Sequence, residues 1–264
     1  MSNGGAKQFD VIIVGAGIAG ASAGFFLSES RRVALLERED QPGYHSTGRS
    51  AALFTETYGN ESIRALTTGA RAFFESPPAG FCETPLLTPR GVITVGRADQ
   101  QETLDRHFEE ISRGSRTVRR LSAGEALAKC PVLRPEYAAG GMEEPASMDI
   151  DVAGLHQGYL RGLRARGGNV VTSAQARDLT HTQGGGWIVD TPAGRFQAPV
   201  LVNAAGAWAD EIAELAGLQP AGLMPKRRTV LLIDPPEGVD ISAWPMTLDV
   251  DEELYFKPDA GKLL

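Results

Sequence analysis

Three glycines decide how this chain can begin. Gly15, Gly17 and Gly20 follow the apolar run FDVIIV, Phe9 to Val14, without a break. Such a run ending in a turn reads as a buried parallel strand. The small, apolar residues from Ile18 to Leu27 read as a helix packed close to a sheet. In that setting Gly15 permits the tight turn, Gly17 lets backbone approach a diphosphate, and Gly20 lets the helix touch the strand. The helix N-terminus adds N–H donors and a positive dipole end. A second run, RRVALLE, ends in Glu37, an acid placed to accept both ribose hydroxyls. Glycine spacing alone is a weak signal. Strand, helix and acid together predict a dinucleotide cradle, against the alternative of a glycine-rich turn with an acid beyond it by accident.

A nicotinamide enzyme would continue with further strand–helix pairs after Glu37. This chain enters REDQPGYHSTGRSAALFTETYG instead. Pro42, Gly43, Gly48 and Gly59 interrupt helix there, and Ser46, Thr47, Arg49 and Ser50 are small or cationic donors. A donor-rich loop in that place suits FAD, whose diphosphate and flavin extend past the first unit. Later, VLVNAA leads into Gly206 as the first strand leads into Gly15, a second point where backbone comes close to the cofactor.

The formal net charge of −7 excludes the basic footprint of a nucleic-acid binder. Arg113, Arg116, Arg119 and Arg120 cluster, and read as a solvated face. Cys82 and Cys130 have neither zinc nor disulfide-framework spacing. No apolar run is long enough to span a membrane, and MSNGGAKQ lacks the apolar core of a signal peptide. A soluble cytoplasmic protein without metal is expected.

Taken together, GAGIAGAS, LERE, GYHSTGRSAA and LVNAAGAWAD resemble the flavin amine oxidoreductases of the D-amino-acid oxidase, glycine oxidase and sarcosine oxidase type. FFESPPAGFCETPLLTPR, LHQGYLRG and PKRR resemble, within that group, bacterial D-arginine dehydrogenase-like enzymes. The resemblance covers essentially the whole chain. It implies an α/β fold: a Rossmann-like FAD-binding domain with an α+β antiparallel-sheet substrate domain. It implies cofactor contacts at Gly15, Gly17, Ile18, Ala19, Gly20, Glu37, Arg38, His45, Ser46, Thr47, Arg49, Ser50, Ala51, Ala176, Ala205, Gly206 and Trp208, with the backbone near Ala176 beside adenine. Members of the group continue beyond YFKPDAGKLL, so a C-terminally incomplete substrate domain is expected.

Along the chain, helices are expected over Ser62–Glu75, in DQQETLDRHFEEISR, in SAGEALAKC with a Ser122/Glu125 capping box, and after Asp151 as N-cap. His156 on the last helix reads as a core or interface histidine. GVITVG, NVVTSAQARDL, VLVNAA, KRRTVLLID and ELYFKP are expected strands, VLVNAA buried and preceded by an antiparallel excursion. Residues 1–75 and 146–217 are assigned to the FAD-binding domain, 76–145 and 218–264 to the substrate domain.

FAD does the redox work, and the protein must place a C–H bond and fix the substrate's charges. A substrate carboxylate is read best by an arginine fork. Arg227 and Arg228 occupy successive positions and must face opposite sides of a strand. The resemblance favours Arg228 as the inward one, with Tyr255, Tyr58 and Thr55 beside it. No catalytic His or Lys stands out, which fits a substrate bound as its neutral amine. The related D-arginine enzymes carry an acid where Val92 stands and a histidine where Leu53 stands. Met246 and Leu248 add apolar wall. The expected reaction is oxidative deamination of an apolar D-amino acid to a 2-oxo acid. The alternatives are oxidation of a secondary or N-methyl amine, a non-catalytic flavin protein, or a nicotinamide enzyme; the electron acceptor is left open.

Overall fold

The computed structural model describes residues 5–113 and 117–264. The chain divides into two compact units, Met1–Ser50 with Pro78–Thr84 and Val152–Arg227, and Ala51–Pro77 with Pro85–Asp151 and Arg228–Leu264. Residues 51–75, assigned from sequence to the FAD-binding part, pack in the second unit.

The first unit is built on a four-stranded parallel sheet in the order Asn169–Val171, Val33–Leu36, Val11–Val14, Val200–Asn203. Its two central strands are buried at every position, as parallel strands covered on both faces should be. Helix Ile18–Leu27 lies against helix Val152–Ala165 because small residues line the seam. A Cβ on Gly24 would sit 3.1 Å from Leu163, and one on Gly162 would sit 2.3 Å from Phe25. A second sheet joins Lys7–Gln8, Gly194–Ala198, Trp187–Thr191 and Asp178–His181. Its fully buried Phe196 packs in one cluster with Ile12, Val14, Leu36 and Val189.

Two expected strands of this unit differ in the structure. NVVTSAQARDL is not continuous: Asn169–Val171 and Asp178–His181 belong to different sheets. Between them Ser173 takes φ +50, and the Ser173 and Ala174 N–H groups donate to the Glu39 and Glu37 carbonyls. VLVNAA supplies an edge strand rather than a buried one, and Val200 is 48% exposed.

The second unit holds a five-stranded sheet in the order Tyr255–Phe256, Met246–Asp249, Val92–Gly96, Gly140–Glu144, Arg119–Ser122. The expectation of an antiparallel layer is corrected at one pair: Met246–Asp249 runs parallel to Val92–Gly96. One face packs Ile93, Val95 and Leu121 with Ala126 and Cys130 of the segment Ala123–Cys130. That helix, Ala123–Lys129, carries the expected capping box. Hydrogen bonds from the Ser122 backbone and hydroxyl, with Arg119 behind, hold the Glu125 carboxyl at about 2. On the other face Met142 meets Leu104 and Ile111 of helix Gln101–Ser112. A three-stranded sheet joins Leu53–Phe54, Met148–Ile150 and Leu87–Pro89, and helix Glu61–Glu75 is capped by Asn60.

KRRTVLLID does not form its expected strand. It runs exposed, and only Ile233 makes an isolated bridge, to Leu263. ELYFKP is split into Tyr255–Phe256 and Pro258–Asp259. Of the arginine cluster, Arg119 pairs with Glu125 and Glu143, and Arg120 with Asp105. Arg116 lies outside the described residues.

Candidate functional site

In the first unit a cleft opens at the carboxyl ends of the parallel strands. Four stretches line it: the glycine turn, Glu37–Arg38, Gly43–Thr47 and Ala174–Ala176, closed by Ala204–Trp208 and the helix that follows. Gly15 takes φ +100, and a Cβ there would lie 2.4 Å from the Ala204 carbonyl oxygen, so no other residue fits. A Cβ on Gly20 would lie 1.8 Å from the Gly15 carbonyl oxygen, which ties the helix to the turn.

Between them the Ala16 peptide is fixed from both sides. Its N–H donates to Glu37 Oε2 at 3.0 Å. Its carbonyl accepts from His156 Nε2 at 2.8 Å, and since a carbonyl only accepts, that nitrogen carries a hydrogen. Thr47 Oγ1 accepts from the Ile18 N–H at 2.9 Å. Glu37 is buried, and its other oxygen accepts from the Glu39 N–H. A carboxylate has about four acceptor positions, so Glu37 keeps capacity for hydroxyls in the cleft it lines. No acidic residue stands in the first turn of helix Ile18–Leu27 to oppose an anion.

A stack of rings and cations forms one wall. His45 lies 4.6 Å from Trp208, and the Arg38 guanidinium sits 4.8 Å over the same ring. His45 also donates to Glu39 at 2.9 Å. The cleft thus gathers Gly15, Gly17, Ile18, Ala19, Glu37, Arg38, His45, Ser46, Thr47, Ala176, Ala205, Gly206 and Trp208. Gly20, Arg49, Ser50 and Ala51 are not among its lining residues. Arg49 stacks on Tyr44, and the Ser50 hydroxyl donates to the Thr47 carbonyl, shaping the loop from behind. Sequence reasoning missed the seat of His156 under the turn; the neighbouring Gly43, whose Cβ would come 2.9 Å from that ring, was the available signal.

The expected substrate residues all fall in the second unit. Val92 lies opposite Met246, and Leu248 opposite Tyr255, so the four share one face of the five-stranded sheet. Glu144 lies opposite Val92 on the same face. It is buried and bonded to the Thr57 hydroxyl, and burial pushes its carboxyl up, with Thr57, His107 and Arg64 pulling the other way. Leu53 and Thr55 are half-buried, the latter donating to Ser147 at 3.1 Å. Tyr58 is 69% exposed. Arg228 is exposed on a segment without strand structure, so burial on one side of a strand does not describe it.

Residues 10–264 match the DAO family, FAD dependent oxidoreductase. The glycine oxidase of Geobacillus kaustophilus is 27% identical over 219 residues, 80% of this chain and 58% of that protein. The L-2-hydroxyglutarate dehydrogenase of Escherichia coli K12 is 24% identical over 81% of this chain and 51% of its own length. The chain therefore spans between half and six-tenths of these relatives. Among solved structures, the glycine oxidase of G. kaustophilus superposes with TM-score 0.81 at 22% identity, covering 97% of this chain and 70% of that one. The L-alpha-glycerophosphate oxidase of Mycoplasma pneumoniae, solved with FAD bound, gives 0.82 at 16% identity over 97% of this chain and 70% of its own. No helix among the described residues is long and apolar enough to cross a membrane.

Proposed function

The chain belongs to the FAD dependent oxidoreductases of the DAO family, and on that footing we propose that it oxidises the Cα–N bond of an amino acid, preferring a D-amino acid with an apolar side chain. The cleft of the first unit fits the cofactor: the glycine turn and the helix N-terminus, with the Thr47 hydroxyl on the Ile18 N–H, face it for the diphosphate, and Glu37 retains acceptors for a ribose. FAD supplies the two-electron acceptor. The protein's part is to bind the neutral amine, orient its Cα–H bond and keep water out until the C=N product leaves for hydrolysis to a 2-oxo acid and ammonia.

The observation that carries the substrate preference is the composition of the sheet face that holds Val92, Met246, Leu248 and Tyr255. Three of the four are aliphatic or thioether side chains. The carboxyl on that face, Glu144, is already bonded to Thr57, and burial favours its neutral form. A guanidinium placed there would be desolvated without a counter-charge, which costs several kcal/mol. D-arginine is therefore a poor substrate despite the resemblance to D-arginine dehydrogenases.

Arg228, though exposed, remains the proposed reader of the substrate carboxylate, and an exposed guanidinium still binds one bidentately. Anaerobic flavin bleaching with D-leucine, D-phenylalanine, D-arginine, sarcosine and glycine tests the reading. D-leucine and D-phenylalanine should give the highest kcat/KM; a higher value for D-arginine overturns the preference. Arg228→Met should raise KM about tenfold or more for carboxylate substrates and leave amines lacking a carboxylate unaffected. Peroxide release against dye reduction then separates an oxidase from a dehydrogenase.

A further inference from the structure

One half-buried carboxylate in the second unit bonds to two cations that flank the proposed substrate wall. Asp149 accepts from Arg90 Nε at 2.6 Å through one oxygen and from Lys257 Nζ at 2.7 Å through the other. Lys257 is 5% exposed. A lysine so deeply covered is rare unless paired. Arg90 goes further and donates to the carbonyls of Ser242 and Trp244, at 2.9 and 3.0 Å.

These anchors are regularly placed. Arg90 lies two residues before Val92, Trp244 two before Met246, and Lys257 two after Tyr255. Asp149 itself is in register with Leu53 on the neighbouring strand. The side chains proposed to meet substrate come from separate segments with no sequence contact between them. The Arg90–Asp149–Lys257 cluster ties the segments of Leu53, Val92, Met246 and Tyr255 to a single point.

We infer that Asp149, with Arg90 and Lys257, is the positioning centre of the substrate layer, fixing Leu53, Val92, Met246 and Tyr255 relative to one another. The inference rests on the reading of those four as substrate wall, and none of the three charged residues need touch substrate. Its logic is geometric. A strand end held by a short, charge-assisted bond two residues from a wall side chain has little freedom to displace it. A shift of about 1 Å in such a wall is enough to cost a hundredfold in rate.

The gentlest break is Lys257→Met, which leaves Arg90 and Asp149 as a balanced pair and fills the same volume with an apolar chain. Lys257→Arg keeps the bond. In the flavin-loaded protein, hydrogen exchange in Lys257→Met should rise together in peptides covering 90–96, 244–249 and 255–258, and stay unchanged over 11–36. Exchange confined to 255–258 would overturn the inference, because a merely local bond loosens only its own strand. For the best amino-acid substrate of the unaltered protein, kcat/KM per bound flavin should fall at least tenfold in Lys257→Met, mainly through kcat, and return to within threefold in Lys257→Arg. A fall of less than twofold would also overturn it. If no amine reduces the flavin of the unaltered protein, the substrate reading fails, and the exchange result alone still decides whether the cluster ties the strands together.

Discussion

At the scale of single residues, two buried groups have consequences that their neighbours determine. His156 donates to the Ala16 carbonyl beneath the glycine turn. Leaving a buried acceptor unpaired costs about 1–3 kcal/mol, and here that cost falls on the turn that holds the diphosphate. His156→Leu should weaken FAD binding to the stripped protein about tenfold or more by fluorescence titration, while His156→Gln, which keeps an N–H donor, recovers most of it. Glu144 behaves differently. Burial raises its carboxyl above the ordinary value, so between the ordinary and the raised value the native state holds a proton that the unfolded chain has released. Stability contributed by this residue therefore falls as pH rises from the ordinary carboxylate range through the raised value. Urea unfolding of the natural protein should lose stability over that interval relative to Glu144→Gln, whose amide does not titrate. An equal pH slope in the two proteins would show that Glu144 is charged when folded. Of these groups the sequence made only His156 legible, as a core or interface residue. Which carbonyl it meets depends on a contact 140 positions away along the chain.

At the scale of elements, legibility followed how far a pattern carries its own partner. Helix Ile18–Leu27 and the capping box of Ala123–Lys129 are local, and their sequence cues match their bounds. Asn169–Val171 was recognisable as β-forming, but Ser173 at φ +50 ends it through hydrogen bonds to Glu37 and Glu39, remote in sequence. Thr229–Ile233 shows the converse. TVLLI has strong β-propensity, yet a strand needs a neighbour, and propensity says nothing of whether one is present. In the structure Leu231, Leu232 and Ile233 are all more than half exposed. An uncharged, Pro-free window of this kind is an aggregation hazard. Leu232→Lys should slow light-scattering growth at 37 °C severalfold without lowering Tm, since it removes no buried contact.

At the scale of the whole molecule, the units are assembled from pieces that alternate along the chain, three segments to each. The chain crosses between the units after residues 50, 77, 84, 151 and 227, and residues 51–75, assigned from sequence to the FAD-binding part, fall in the second unit. Motif spacing survives such interleaving because a motif is short; a unit boundary is defined by contacts that no local window contains. The glycine turn of the first unit is braced from within the protein. The Ala16 peptide is held by Glu37 and His156 through protein atoms alone. Capture of the diphosphate is then docking onto a rigid receptor, without an ordering entropy to meet at that turn. Its observed rate constant should climb linearly with ligand concentration rather than level off, the kinetic signature of a lock cut before its key arrives.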